Sequence, residues 1–187
     1  NPKLRVSAGL RYNMYSFNGD HQVYFYEDFR PRTRQNTIDS ISYEKGETIQ
    51  TYGGFEPRLA VRYSLNSNNS IKAAYNRMYQ YICLISNTNS ISPSDIWKLS
   101  DNYIKPQIAD QISLGYYQNF RNNRFETSIE GFYKEIDNVI DYKDGAQLFL
   151  NDHIETELLS GRGRSYGLEV YLRKKSGGRA TGWISYT

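Results

Sequence analysis

The histidines and the cysteine of this chain do not have the spacing that metal binding or thiol catalysis requires. His21 and His153 lie in different polar stretches, whereas a zinc site needs three or four clustered ligands. Cys83 is the one cysteine and has no histidine near it in the sequence, so a disulfide framework and a cysteine-rich metal site are excluded. We expect solvated loop histidines, an inert thiol and no cofactor.

The acidic and glycine-rich motifs do not predict catalysis either. Glu126 and Glu130 fall on one face of an alternating run, about 13 Å apart at about 3.3 Å per residue. Catalytic carboxylate pairs of glycosidases are closer, at roughly 5–9.5 Å. We expect these acids to pair with Arg58, Arg62 or Arg173 on other strands. The glycine-rich run at 161–167 lacks phosphate-loop spacing, and no helix pattern follows it. No enzyme is predicted.

Ligand binding is predicted only in the long polar connections of the chain. A basic run at 30–34 would attract an anionic ligand or surface lipopolysaccharide, and a solvated loop is the alternative. Aromatic and polar residues of the later connections would meet a ligand that arrives from outside, because loops commonly carry binding residues. The candidates are Arg30, Arg32, Arg34, Trp97, Tyr103, Phe149, His153 and Arg162.

The composition is typical of a β-rich chain whose strands have one face exposed to water. Of the 187 residues, 39% are hydrophobic and 15% aromatic, with 18 tyrosines, and disordered chains are poor in aromatics. The net charge is +3 with interspersed signs, so no nucleic-acid partner is predicted. No apolar run approaches the roughly 20 residues of a membrane helix. A membrane role would therefore have to use strands.

Alternating apolar and polar residues predict about seven long strands. The clearest pair covers 110–120 and 125–133, joined by the Asn-rich turn 121–124, as in a β-hairpin. Several runs are long enough to cross a bilayer as tilted strands of about 9–11 residues. Shorter strands are expected at 23–26 and 38–43, and 92–97 would begin a helical turn. The other main strands are predicted within 4–14, 55–65, 71–80, 165–173 and 180–186.

Long and short connections alternate along the chain. Tight turns are predicted at 66–69, 121–124 and 176–179, and long connections at 17–53, 82–108 and 135–164. Outer-membrane barrels have short turns at one end and long loops at the other, whereas a soluble sandwich has no reason to do so. The predicted fold is all-β, an antiparallel up-and-down meander. An odd strand number with two unpaired edges indicates a segment of a larger barrel.

Four stretches resemble one protein family. They are FEPRLAVRY at 55–63, IKPQ at 104–107 with DQISLGY at 110–116, YKEIDNVIDY at 133–142, and SYGLEVYL at 165–172. In order and spacing they are similar to barrel strands in the C-terminal half of TonB-dependent outer-membrane receptors. The likeness covers roughly residue 55 to the end of the chain.

This resemblance implies a part of a plugged barrel of roughly 22 strands in the bacterial outer membrane. Such receptors import a scarce ligand, here a metal chelate, corrinoid, haem, glycan or peptide. Residues 1–187 would be a partial transmembrane barrel without the plug domain and coupling-protein box. Its implied partners are outer-membrane lipid, the rest of the barrel with its plug, and, through the plug, the inner-membrane energy-coupling complex. The alternative is a soluble all-β ligand-binding module of the carbohydrate-binding kind, whose apolar faces would meet in a dry core.

Overall fold

A computed structural model describes residues 3–85, 95–148, 150–175 and 180–187. Within these residues no helix is long and apolar enough to cross a membrane, and the two helices are the short 3-10 turns Arg34–Asn36 and Ile154–Thr156. The strands of the described chain are β1 Leu4–Asn18, β2 His21–Tyr26, β3 Thr37–Tyr43, β4 Thr48–Ser64, β5 Asn69–Gln80, β6 Ile82–Ile85, β7 Ile96–Leu99, β8 Gln107–Phe120, β9 Phe125–Tyr142, β10 Leu158–Lys174 and β11 Gly182–Tyr186.

The main sheet is a consecutive meander. In the described chain it holds seven strands in the order β1-β4-β5-β8-β9-β10-β11, and every pair is antiparallel. This confirms the predicted fold class. Short strands β2 and β3 form one separate hairpin, and β6 and β7 form another. The strands expected at 23–26 and 38–43 are thus confirmed. The expected helical turn is wrong for Ile96 and Trp97, which begin β7, and 92–94 lie outside the described residues.

Asparagines build the tight turns at one end of the sheet. The Asn66 carboxamide oxygen accepts hydrogen bonds from the backbone N–H groups of Asn68 and Asn69, each at 2.8 Å, which closes the β4–β5 turn. The backbone N–H of Asn119 donates to the carbonyl of Asn68 at 2.8 Å, so the ends of adjacent hairpins meet. The predicted turn at 176–179 lies outside the described residues.

The strands extend further toward the long connections than the alternation predicts. β9 and β10 pair from Phe125 and Lys174 up to Tyr142 and Leu158. The register shifts between Gly161 and Arg162, which pair with Val139 and Asp137, so Asn138 is skipped. Asn138 has a φ of 59°, and its side chain donates to the Pro106 carbonyl at 2.8 Å. The third long connection is therefore 143–157, and its predicted extent of 135–164 is wrong.

The apolar face of the main sheet is uncovered. One rung of in-register residues crosses the whole sheet, and their exposed fractions run from 36 to 76%. Within the described chain, the buried hydrophobic residues all lie outside the main sheet, in the long connections and their hairpins. A sandwich would bury this face, so the soluble alternative is not supported. The rung consists of Leu4, Tyr63, Ile71, Tyr116, Ile129, Val170 and Tyr186.

The opposite face carries the charges, but their pairing differs from the prediction. Glu126 forms an ion pair with Lys175 at 3.0 Å, and Glu130 accepts a hydrogen bond from the Tyr117 hydroxyl. The expected partners Arg58 and Arg62 are wrong: Arg58 lies 3.6 Å from the buried Glu56, and the Arg62 Nε donates to the Ser70 hydroxyl at 3.1 Å. Arg173 is the register partner of Glu126, but Lys175 forms the ion pair with Glu126. These contacts depend on which residues lie opposite one another on adjacent strands, and the alternation within a single strand does not predict that pairing.

The β8–β9 turn gives a first testable prediction. Arg121, Asn122 and Asn123 all have positive φ values, 52°, 56° and 62°, a left-handed conformation that asparagine tolerates and β-branched residues resist. We expect Asn123→Val to lower the free energy of unfolding by about 1–2 kcal/mol. Asn123→Gly should change it by less than about 0.5 kcal/mol. Urea unfolding of the full-length protein in detergent measures both, and equal effects would contradict the turn assignment.

Candidate functional site

The long connections of the described chain meet at the end of the sheet opposite the tight turns. The Tyr103 hydroxyl donates to the Tyr24 carbonyl at 2.5 Å, and the Tyr52 hydroxyl donates to the Asp101 carbonyl at 2.7 Å. These bonds tie the connection between β5 and β8 to the hairpin and strand of the preceding one. The expectation that the long connections cluster at one end is confirmed.

A buried polar cluster, Tyr26 with His153 and Glu155, attaches the third connection. The Tyr26 hydroxyl donates to Glu155 Oε1 at 2.6 Å and lies 2.9 Å from His153 Nδ1. The hydroxyl has one proton and donates it to Glu155. It therefore accepts a hydrogen bond from the Nδ1–H tautomer of the His153 ring. Burial, followed by the hydrogen bond to Glu155, raises the pKa of Tyr26 far above its usual value. His153 is 8% exposed, so the expectation of a solvated histidine is wrong for it.

The connections also bury apolar side chains. Val23, Ile85, Ile104 and Ile154 are all buried in them. Cys83 is buried as well, and burial raises the pKa of its thiol, which favours the protonated, unreactive form. The connections therefore behave as a packed unit and not as independent loops.

An acidic cavity of about 520 Å³ opens between the three connections. It is lined by residues of β1 and β2, of the segment 98–103 and of the segment 151–155. Asp20, Asp152 and Glu155 contribute carboxylates, and Tyr24 and Tyr103 contribute aromatic surface. Asn102 also lines it, and its buried side-chain oxygen has no hydrogen-bond partner. This cavity offers hydrogen-bond acceptors beside flat rings.

A second, basic cavity of about 330 Å³ shares Asn151 with the acidic cavity. Arg32, Arg34 and Lys143 line it. The guanidinium carbon of Arg32 lies 4.8 Å from the centre of the Tyr103 ring, which is cation–π distance. The Lys143 Nζ donates to the Thr156 carbonyl at 2.6 Å.

The structure brings some of the predicted ligand-contact residues together and leaves others apart. Tyr103 lines the acidic cavity, and Arg32, Arg34 and His153 line the basic one. Contact of these four residues with a ligand stays a prediction. Lys143, Asn102 and Glu155 were missed. An isolated lysine, asparagine or glutamate in a polar stretch has no sequence signal that distinguishes it from solvated neighbours.

Three predicted candidates lie away from both cavities, and a fourth cannot be placed. Arg30 forms an ion pair with Glu27 at 3.2 Å. Trp97 is 63% exposed in β7. Arg162 was expected in a loop, but it lies in β10 and pairs with Asp137 at 3.0 Å. Phe149 lies outside the described residues.

Metal binding finds no support in the part of the chain that the structure describes. No group of three or more His, Cys, Asp or Glu side chains there is arranged to hold an ion. The two polar cavities, which carry opposite charge, suit non-covalent recognition of a ligand.

A family model described as "TonB dependent receptor-like, beta-barrel" matches residues 1–187. The chain belongs to this family of TonB-dependent receptor barrels. Among solved structures, it is similar to a double mutant of the Serratia marcescens hemophore receptor HasR in complex with its hemophore HasA and heme. That likeness has a TM-score of 0.57 at 16% identity and covers 92% of this chain and 29% of HasR, so it concerns the fold alone. No curated protein matches the chain.

Membership in the TonB-dependent receptor family assigns the faces of the sheet. In such a barrel the apolar face points to lipid and the polar face to the lumen, and the short and long connections lie at opposite ends. We therefore expect the apolar face that carries the rung from Leu4 to Tyr186 to contact lipid. We likewise expect the loop cluster with its two cavities to lie at the extracellular end, where the long connections of outer-membrane barrels lie.

Proposed function

We propose that this segment belongs to an outer-membrane receptor that imports a scarce ligand, and that the loop cluster is where the ligand first docks. The observation that supports this most directly is the acidic cavity, since all three connections supply its walls. A binding site built from several extracellular loops is positioned to meet a molecule that arrives from outside. The receptor acts by binding and transport, not by catalysis.

We further propose that the rest of a longer protein completes the barrel. β1 pairs only with β4, and β11 only with β10, among the described residues. Lipid does not tolerate open sheet edges, so other strands must cover both. A plug domain inside the lumen and an inner-membrane energy-coupling complex are the partners proposed for transport.

The proposed ligand is a metal chelate, a corrinoid, haem or a glycan. Haem is one of these candidates from the family resemblance, and the structurally similar HasR is in complex with a hemophore and heme. The combination of aromatic faces with carboxylates and a free carboxamide oxygen favours a ligand that has both flat or ring-shaped parts and hydrogen-bond donors.

Filling the acidic cavity tests the proposed function. We expect Asn102→Trp to reduce uptake at least about tenfold, because the new side chain occupies space that the ligand needs and removes the unpartnered oxygen. Growth of a strain that lacks all other receptors for the nutrient, compared across iron-, vitamin- and glycan-limited media, would reveal the ligand class and then measure the variant.

Lys45→Trp is the matched control. Lys45 is exposed in the β3–β4 turn and lines neither cavity, so this variant should support normal growth. Immunoblots of outer membranes must show equal amounts of both proteins. Normal uptake by Asn102→Trp at a normal protein level would contradict a docking role for the cavity.

A further inference from the structure

The basic cavity gathers positive charge from distant parts of the chain. Arg32 and Arg34 belong to the connection between β1 and β4, whereas Lys143 follows β9. Bringing like charges together is unfavourable unless something compensates them. Glu157 is the one carboxylate among the described lining residues.

Two of the three cations each make a contact that restricts the side chain. The guanidinium carbon of Arg32 lies 4.8 Å from the centre of the Tyr103 ring, and a guanidinium carries a fork of N–H groups that matches a carboxylate or phosphate. The hydrogen bond from Lys143 to the Thr156 carbonyl uses one of three ammonium donors. Ordering these side chains in advance reduces the entropic cost of binding.

The neighbouring residue Arg30 shows why the cavity is distinct from a generally basic loop. It belongs to the same basic run, but it pairs with Glu27 and does not line the basic cavity. The fold therefore divides the run into one neutralised arginine and two that face a cavity together with a lysine from another connection.

We propose that the basic cavity binds an oxyanion, a carboxylate or phosphate group, of the molecule that the loop cluster recognises. This rests on the proposed receptor function and adds the ligand's charge to it. Asp20, Asp152 and Glu155 in the adjacent acidic cavity repel an anion, so the two cavities together orient the ligand. The same oxyanion chemistry is offered by a soluble ligand and by a phosphorylated lipid headgroup of the outer leaflet.

The test uses the full-length receptor that contains this segment, purified in detergent. Binding of citrate and of inorganic pyrophosphate is measured by calorimetry at low and at moderate salt. The double variant Arg32→Gln with Lys143→Gln should weaken binding of one or both probes at least about tenfold, because charge-assisted hydrogen bonds are lost. Arg34→Glu, which reverses one charge, should weaken it similarly, and the wild-type affinity should fall as salt rises.

Arg30→Gln is the matched control and should bind like the wild type. Vesicles of phosphatidylglycerol compared with phosphatidylcholine provide the lipid arm. Weaker binding of the soluble probes by the variants supports a soluble anionic ligand, and a selective loss of phosphatidylglycerol binding supports the lipid source. Unchanged binding in both arms, or an equal loss in Arg30→Gln, would overturn the proposal. If Asn102→Trp still blocks uptake in that case, the receptor function stands without the oxyanion site.

Discussion

Leu168→Arg is expected to prevent assembly of the receptor barrel in the membrane. Leu168 lies within β10, its side chain is 56% exposed, and its register partner Gly131 offers no side chain to cover it. On the lipid face, an arginine near the midplane costs roughly 2–4 kcal/mol, a large share of the roughly 5–15 kcal/mol that stabilises a typical folded domain. Heat-modifiable electrophoresis and outer-membrane abundance measure the folded fraction.

Glu169→Arg is the matched control, because it introduces the same residue one position along on the opposite face. Glu169 lies beside Glu130 in the register, so an arginine there replaces two adjacent like charges with an attractive pair. This variant should assemble. Equal loss of both variants would contradict the assignment of the faces.

Cysteine labelling distinguishes a lipid-facing surface from a dry protein core, since either would reject Leu168→Arg. With Cys83→Ala as background, single cysteines at 168, 170 and 172 should react with a lipid-soluble probe in membranes. Those at 169 and 171 should react with a water-soluble reagent. If both reagents miss the even positions, those side chains are packed inside protein and the lipid assignment is wrong.

The strands that cross the membrane could be predicted because each carries its own signal. A strand between lipid and water must alternate along its length, so residues such as Leu168 and Glu169 report their faces without knowledge of their neighbours. Where a strand extends past the membrane, its residues no longer need to alternate between apolar and polar. Asp137 and Arg162 pair on β9 and β10 where no alternation marks them, which is why the predicted loop 135–164 was too long.

The candidate site could be predicted only in part, because it forms from connections that are distant in sequence. The bond between Tyr26 and His153 joins residues 127 positions apart, and no local pattern encodes such a contact. Composition identified Arg32 and Arg34 as unusual because they lie in a basic run. Lys143 joins the same cavity only when the chain folds, so the sequence around Lys143 does not predict its place there.

Tyr26→Phe is expected to loosen the loop cluster without affecting the barrel. The hydroxyl holds two partners from the third connection, Glu155 and His153, in a site where Tyr26 and His153 are both buried. Removing it leaves these polar groups without a partner, at a cost of about 1–3 kcal/mol for each one that stays buried. A loss of about 2 kcal/mol corresponds to a roughly 30-fold rise in local opening.

Hydrogen exchange of the full-length receptor in detergent measures that opening directly. Peptides covering 150–157 and 100–104 should exchange faster in Tyr26→Phe, while peptides from β8 and β9 should keep their protection, because the sheet makes no use of this hydroxyl. Tyr24→Phe is the matched control on the same strand: its hydroxyl donates to the exposed Gln22 at 3.3 Å, and its ring contact with His153 at 4.0 Å survives the change. If Tyr24→Phe loosens the cluster as much as Tyr26→Phe does, the two hydrogen bonds of the Tyr26 hydroxyl are not what specifically holds the connections together.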